Sequence, residues 1–316
     1  MIASALSFIF GGCCSNAYAL EALVREFPSS GILITFSQFI LITIEGLIYF
    51  LLNDVQSLKH PKVPRKRWFV VVVMFFAINV LNNVALGFDI SVPVHIILRS
   101  SGPLTTMAVG RILAGKRYSS LQIGSVFILT IGVIIATLGN AKDLHLHVES
   151  MTRFGIGFTI LVITQILGAI MGLVLENTYR IYGSDWRESL FYTHALSLPF
   201  FLFLLRPIRS QWNDLFAIHT KGFLNLPSGV WYLCFNTLAQ YFCVRGVNAL
   251  GAETSALTVS VVLNVRKFVS LCLSLILFEN EMGPAVKFGA LLVFGSSAVY
   301  ASARSKPKTN GLKKND

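Results

Sequence analysis

Residues 252–278, AETSALTVSVVLNVRKFVSLCLSLILF, decide how the rest of the chain is read. The stretch is long enough to cross a bilayer core of about 30 Å, which takes roughly 20 apolar residues. It carries Arg266 and Lys267 side by side near its middle. Charge at that depth is costly and marks a site with a partner of opposite sign. The first expectation is therefore an anion site inside a membrane protein.

Working outward, runs of the same kind recur at residues 2–23, 31–52, 68–88, 92–114, 121–139, 154–179, 190–205, 229–250 and 283–303. A soluble domain would alternate apolar and polar positions, whereas here 54% of residues are hydrophobic and only 13% charged. The expected fold class is all-α integral membrane, with ten transmembrane helices. The first run has no basic segment ahead of it and contains Asn16 and Glu21, so it reads as a span rather than a cleaved leader. The five cysteines, Cys13, Cys14, Cys234, Cys243 and Cys272, lie in apolar runs without metal-ligand spacing. They read as small core residues.

The net charge of +11 would point to nucleic acid in a soluble protein, but its distribution here reports topology instead. Basic residues gather at Lys59, Lys62, Arg65, Lys66, Arg67, Lys116, Arg117, Arg180 and Arg187 and in the tail after residue 303. The opposite side carries only Arg25, Lys142, Arg153, Arg206, Arg209 and Lys221. The positive-inside rule then puts both termini in the cytosol.

An internal repeat organises the runs. The segment from Ile97 to Ala136 lays on Val262 to Ala301, pairing Leu98 with Leu263, Gly124 with Gly289 and Ala136 with Ala301. Five helices per half is an odd number, so the halves enter the bilayer from opposite sides, as in inverted-repeat transporters with a midplane site. The basic turn Lys116-Arg117 in one copy and the acidic turn Glu279-Asn280-Glu281 in the other agree with opposite orientations. The expected domains are a first five-helix repeat at 1–139, a luminal loop at 140–153, a second repeat at 154–303 and a cytosolic tail at 304–316. Gly168-x-x-x-Gly172 offers a small-residue face, for packing within the chain by preference or for a homodimer.

Several motifs together resemble the nucleotide-sugar transporters of the drug/metabolite transporter superfamily, in the UDP-N-acetylglucosamine/UDP-xylose branch of animals and fungi. They include Gly12-Cys13-Cys14-Ser15-Asn16, Asn82-Asn83-Val84-Ala85-Leu86, Pro93-Val94-His95-Ile96-Ile97-Leu98-Arg99-Ser100, Gln240-Tyr241-Phe242-Cys243-Val244-Arg245-Gly246 and Arg266-Lys267-Phe268-Val269-Ser270. In the related GDP-mannose transporters, Phe-Tyr-Asn-Asn recognises the base side and Gly-Ala-Leu-Asn-Lys the sugar and phosphate side. The first corresponds to Phe191-Tyr192-Thr193-His194, where loss of both asparagines argues against a guanine nucleotide. The second matches Val262-Leu263-Asn264-Val265-Arg266-Lys267, with Asn264 aligned and the lysine two positions late.

A nucleoside diphosphate sugar needs cations for its phosphates, an aromatic for its base and amides for its hydroxyls. The candidate substrate-binding residues are Lys267, Arg266, Asn264, Arg99, Tyr192, His194, Tyr241, Asn16, Asn83 and Gln240. Lys267 is favoured over Arg266 because Asn264 precedes it by three residues on the same helical face. Arg266 is open to pairing with a carboxylate, and Arg99 to a structural pair with Glu45 or Glu176. Amides at membrane depth, including Gln38, Asn79, Asn82 and Asn236, more commonly bond helix to helix. His145 and His147 read as loop residues, and no metal, cofactor or catalytic motif is evident.

The resemblance implies an antiporter that moves UDP-N-acetylglucosamine into the secretory lumen in exchange for UMP. The alternatives are UDP-xylose, UDP-glucose or a sugar phosphate, or a membrane-embedded glycosyl-transfer enzyme. An enzyme would need an acid/base pair, which Glu21, Glu45, Glu176 and Glu253 do not suggest by their spacing. The C-terminal Lys313-Lys314-Asn315-Asp316 has the form of a dilysine signal, implying retrieval by coatomer to the endoplasmic reticulum, with the Golgi as the alternative.

Overall fold

In a computed structural model the described residues are 2–27, 30–85, 88, 98–140, 151–183, 185–217, 227–277 and 283–303. They are helical, with no strand among the described residues. The helices are α1 (Ile2–Glu26), α2 (Gly31–Asn53), α3 (Val55–Lys59), α4 (Arg65–Ala85), α5 (Gly102–Ala114), α6 (Ser120–Asn140), α7 (Met151–Tyr182), α8 (Trp186–Ala195), α9 (Leu205–Ala217), α10 (Ser228–Glu253), α11 (Ala256–Leu277) and α12 (Pro284–Ser302). Six stretches are long and apolar enough to cross a membrane: Ile2–Leu23, Gly31–Asn53, Ser120–Leu138, Met151–Tyr182, Trp186–Phe216 and Pro284–Ser302.

Two of the expected runs are cut differently. The run at 190–205 is α8, a 3-10 segment Leu198–Leu204 and then α9, so helical structure continues to Ala217. Pro199 has no N–H for the carbonyl four residues back, which explains the change of helix type there. Arg206 and Arg209 end the hydropathy run but are good helix formers, so the helix does not stop with it. The run at 252–278 is split: Ala252 and Glu253 end α10, and α11 starts at Ala256, after Ser255 accepts the amide N–H of Thr258 at 3.2 Å.

Packing is mostly between early and late helices. α1 lies along α10, α6 along α12, α4 and α5 against α7, α2 against α8, and α5 against α11. Two of these contacts are backbone to backbone. A Cβ on Gly12 would sit 2.6 Å from the Cys243 nitrogen, and one on Gly246 would sit 2.7 Å from the Ala5 oxygen. A Cβ on Gly289 would meet the Gly132 oxygen at 2.7 Å. Gly172 approaches Ala256 within the chain, whereas Gly168 faces open space.

The cysteine reading needs correction. Cys13 and Cys243 form a disulfide between α1 and α10, with Cα atoms 4.5 Å apart. Sequence spacing cannot reveal it, because the partners are 230 residues apart and meet only through the close approach at Gly12 and Gly246. Cys14, Cys234 and Cys272 are free thiols.

The α6–α12 contact gives a direct test of this packing. Gly289→Ala should lower thermal stability by about 1–3 kcal/mol through overpacking. Gly124→Ala, with nothing within 4 Å of the added methyl, should be tolerated. Melting of both purified variants in one detergent would check the pair, and equal melting temperatures would contradict the contact.

Candidate functional site

A break in the first half of the chain organises the polar interior. Residues 98–100 are helical, Ser101 turns, and α5 restarts at Gly102 with Pro103 in its first turn. Proline has no N–H and crowds the carbonyl four residues earlier, here that of Arg99. Ser101 folds back on the break, its amide and hydroxyl donating to the Leu98 oxygen at 3.2 and 2.6 Å.

Three successive carbonyls at this break accept side chains from the second half. Gln165 Nε2 on α7 donates to Leu98 O at 2.8 Å. Lys267 Nζ on α11 donates to Arg99 O at 3.1 Å, and Asn264 Nδ2 to Ser100 O at 3.0 Å. Asn264 and Lys267 thus share a face, as their spacing predicts, and that face grips the broken helix. An ammonium has three donors, so Lys267 keeps two for another acceptor. Gln165 is missing from the residues that the sequence singles out. Its signal is an amide set midway along the 32-residue, largely apolar α7.

Around the break lies an excess of positive charge. Arg99 is exposed, and Arg266 and Lys267 are partly accessible. The field of Arg266 reaches both Arg99 and Lys267, and that of Arg99 reaches Lys267. No carboxylate among the described residues lies against any of the three, and Arg266 Nε is buried without a hydrogen-bond partner. The Cys14 thiol lies near Arg266 and accepts from the Ser270 hydroxyl at 3.2 Å.

The carboxylates that sequence reasoning left open as partners are engaged elsewhere. Glu45 accepts from the Tyr241 hydroxyl at 2.8 Å, and Arg245 donates to that same oxygen at 2.9 Å. Glu176 takes the Lys116 ammonium and the Ala256 amide N–H at the start of α11. Among the described residues, Arg99 is therefore not paired with Glu45 or Glu176, nor Arg266 with a carboxylate.

The other candidates fall into separate groups. Asn16 Nδ2 donates to Gln240 Oε1 at 2.8 Å, Gln38 Nε2 to Asn236 Oδ1 at 2.7 Å, and Asn236 Nδ2 to the Asn16 carbonyl at 3.2 Å. These amides join α1, α2 and α10, while Asn16 Oδ1 is buried and unpartnered. Tyr192 stacks on Trp68 at 6.0 Å, and its hydroxyl donates to Leu58 O at 3.4 Å. His194 is 4% exposed, 4.7 Å from Phe39 and 5.5 Å from Phe75 by ring centres. Its Nδ1 lies 2.7 Å from Leu190 O, so that nitrogen carries the hydrogen. The side chain of Asn83, together with His145, His147, Lys313 and Lys314, lies outside the described residues.

One end of the bundle is closed by polar contacts between early and late helices. Glu188, 1% exposed, accepts from the amide N–H groups of Lys62 at 3.1 Å and Val63 at 3.0 Å and from Trp68 Nε1 at 3.1 Å. Lys62 Nζ meets Asp185 at 2.8 Å, and that carboxylate holds the ammonium above its usual range. Arg67 Nε donates to Thr178 Oγ1 at 2.8 Å beside them.

Comparison with known proteins adds a family. The model of the UAA transporter family matches residues 1–304. A UDP-N-acetylglucosamine transporter of Dictyostelium discoideum is 37% identical over 94% of this chain and 90% of its own. The UDP-N-acetylglucosamine transporter YEA4 of Saccharomyces cerevisiae is 36% identical, with 97% and 96% covered. A UDP-xylose and UDP-N-acetylglucosamine transporter of Danio rerio is 35% identical, with 95% and 94% covered. A crystal structure shares the fold with a TM-score of 0.67 at 13% identity, over 94% of this chain and 96% of that one.

Removing the Glu188 carboxylate should leave three donors without their acceptor. Glu188→Ala should lower stability by on the order of 3 kcal/mol, and Glu188→Gln, which keeps one acceptor oxygen, by less. Melting temperatures in that order would support the clamp, and an unchanged Glu188→Ala variant would remove it.

Proposed function

The chain belongs to the UAA transporter family, a family of nucleotide-sugar transporters, and from that premise we propose that it exchanges UDP-N-acetylglucosamine for UMP across a secretory membrane. The observation that carries the reading is the group Arg99, Arg266 and Lys267, three cations around a broken helix with no carboxylate against them among the described residues. Arg supplies a planar fork for phosphate oxygens and Lys a mobile point charge. A nucleoside diphosphate sugar and a nucleoside monophosphate both bring about two negative charges, since a phosphate monoester carries roughly −1.5 to −2 at neutral pH. Either ligand offsets much of the same excess, whereas the empty site carries unneutralised charge through the bilayer. That cost couples the two directions of movement.

The helix packing supports a ten-span architecture of two inverted five-helix repeats, residues 1–139 and 154–303. A twofold axis relating the halves pairs α1 with α10 and, equivalently, α7 with α4, and it pairs α2 with α8, α5 with α11 and α6 with α12. Those are the contacts observed. The two halves then rock about the Arg99–Lys267 crossing. By the charge rule the end closed by Glu188 and Lys62–Asp185 is cytosolic, as are both termini. UMP and UDP-sugar use Lys267, Arg266 and Arg99 for phosphate, with Asn264 beside them. Tyr192, His194, Tyr241, Asn16, Asn83 and Gln240 are the remaining candidates for base and sugar.

UDP-xylose is the second substrate of interest, because the Danio rerio relative is named for both sugars. The lysine pair at 313–314 fits retrieval to the endoplasmic reticulum through coatomer.

Uptake of labelled UDP-N-acetylglucosamine into proteoliposomes holding the purified protein should rise when UMP is loaded inside. Lys267→Ala should reduce it about tenfold to a hundredfold, as expected for loss of a charged hydrogen-bond donor. Absence of uptake of any UDP-sugar by folded protein would overturn the reading.

A further inference from the structure

Lys267 has two employments that the geometry sets against each other. Its ammonium lies on the one carbonyl at the break that Pro103 cannot serve, 3.1 Å from Arg99 O, while the neighbouring carbonyls of Leu98 and Ser100 are held by the neutral amides of Gln165 and Asn264. The carbonyl end of a helical segment carries partial negative charge, so a cation is the fitting partner there. The same cation belongs to the group Arg99, Arg266 and Lys267, which lacks a neutralising carboxylate among the described residues.

We propose that Lys267 changes partners on loading: it caps the Arg99 carbonyl in the empty carrier and leaves that carbonyl for the phosphate of an anionic nucleotide. Occupancy of the site then releases one of the three side-chain bonds by which the second half holds the carbonyls at the break, and so reaches the contact about which the halves move. Gln165 and Asn264 are positioning residues in this arrangement, keeping the break in register while Lys267 is away. The inference rests on the reading of the site as a nucleotide-phosphate site, but its structural half stands without any ligand.

Pro103→Ala separates the two employments. Alanine restores the N–H that the helix lacks for Arg99 O, and it replaces a helix breaker by the best helix former. In the absence of nucleotide, Lys267→Met should lower the melting temperature of the wild-type chain but barely change that of Pro103→Ala, whose carbonyl no longer needs the ammonium. Lys267→Gln, which keeps a donor without the charge, should melt closer to wild type than Lys267→Met. With UMP as the probe, Pro103→Ala should bind about threefold to tenfold more tightly, since Lys267 no longer has a hydrogen bond to give up. Both Lys267 variants should lose the UMP-induced rise in melting temperature.

Additive melting shifts in the double variant would overturn the capping role. An unchanged UMP affinity in Pro103→Ala would overturn the exchange of partners. A wild-type protein that does not respond to UMP, with the melting shifts still non-additive, would sink the nucleotide reading and the exchange built on it while leaving the cap supported.

Discussion

Positive charge held away from carboxylates, in an environment with few other polar groups, is the constraint around which this molecule is arranged. Arg99, Arg266 and Lys267 act on one another electrostatically, and the helices that carry them must supply other compensation. Part of it comes from backbone. The break at Ser101–Pro103 exposes carbonyls that an intact helix would consume, and α11 presents Lys267 and Asn264 to two of them. The remainder is the attraction for an anion that the proposed function uses.

The other buried polar groups keep that excess unspoiled. Glu45 is engaged by Tyr241, Glu176 by Lys116 and the start of α11, and Glu188 by the backbone ahead of α4 and by Trp68. Amides are likewise matched to amides across α1, α2 and α10.

Close backbone contacts give the bundle stiff pairs of helices. At Gly12, Gly246, Gly132 and Gly289 the absence of a side chain lets helices from the two halves touch main chain to main chain, and the Cys13–Cys243 bond adds a covalent tie between α1 and α10. The contact of α11 with the break ahead of α5 is held differently, through two side-chain bonds to carbonyls, with a third supplied by Gln165 on α7. Such bonds exchange partners without repacking a core, which is the physical reason to look for movement there.

The sequence by itself determined the helical membrane class, the shared face of Asn264 and Lys267, and the family, and it raised the expectation of an anion site at Arg266 and Lys267, because hydropathy, 3.6-residue spacing and motif order are local properties. It also held the clue to the break in Gly102-Pro103. Tertiary structure alone decided which carboxylates are engaged elsewhere, that Gln165 belongs to the site, that Cys13 and Cys243 are bonded, and that Lys267 rests on a carbonyl. Those facts depend on which residues, from 60 to 230 positions apart in the chain, are brought within about 3 Å of each other, and no local pattern encodes that distance.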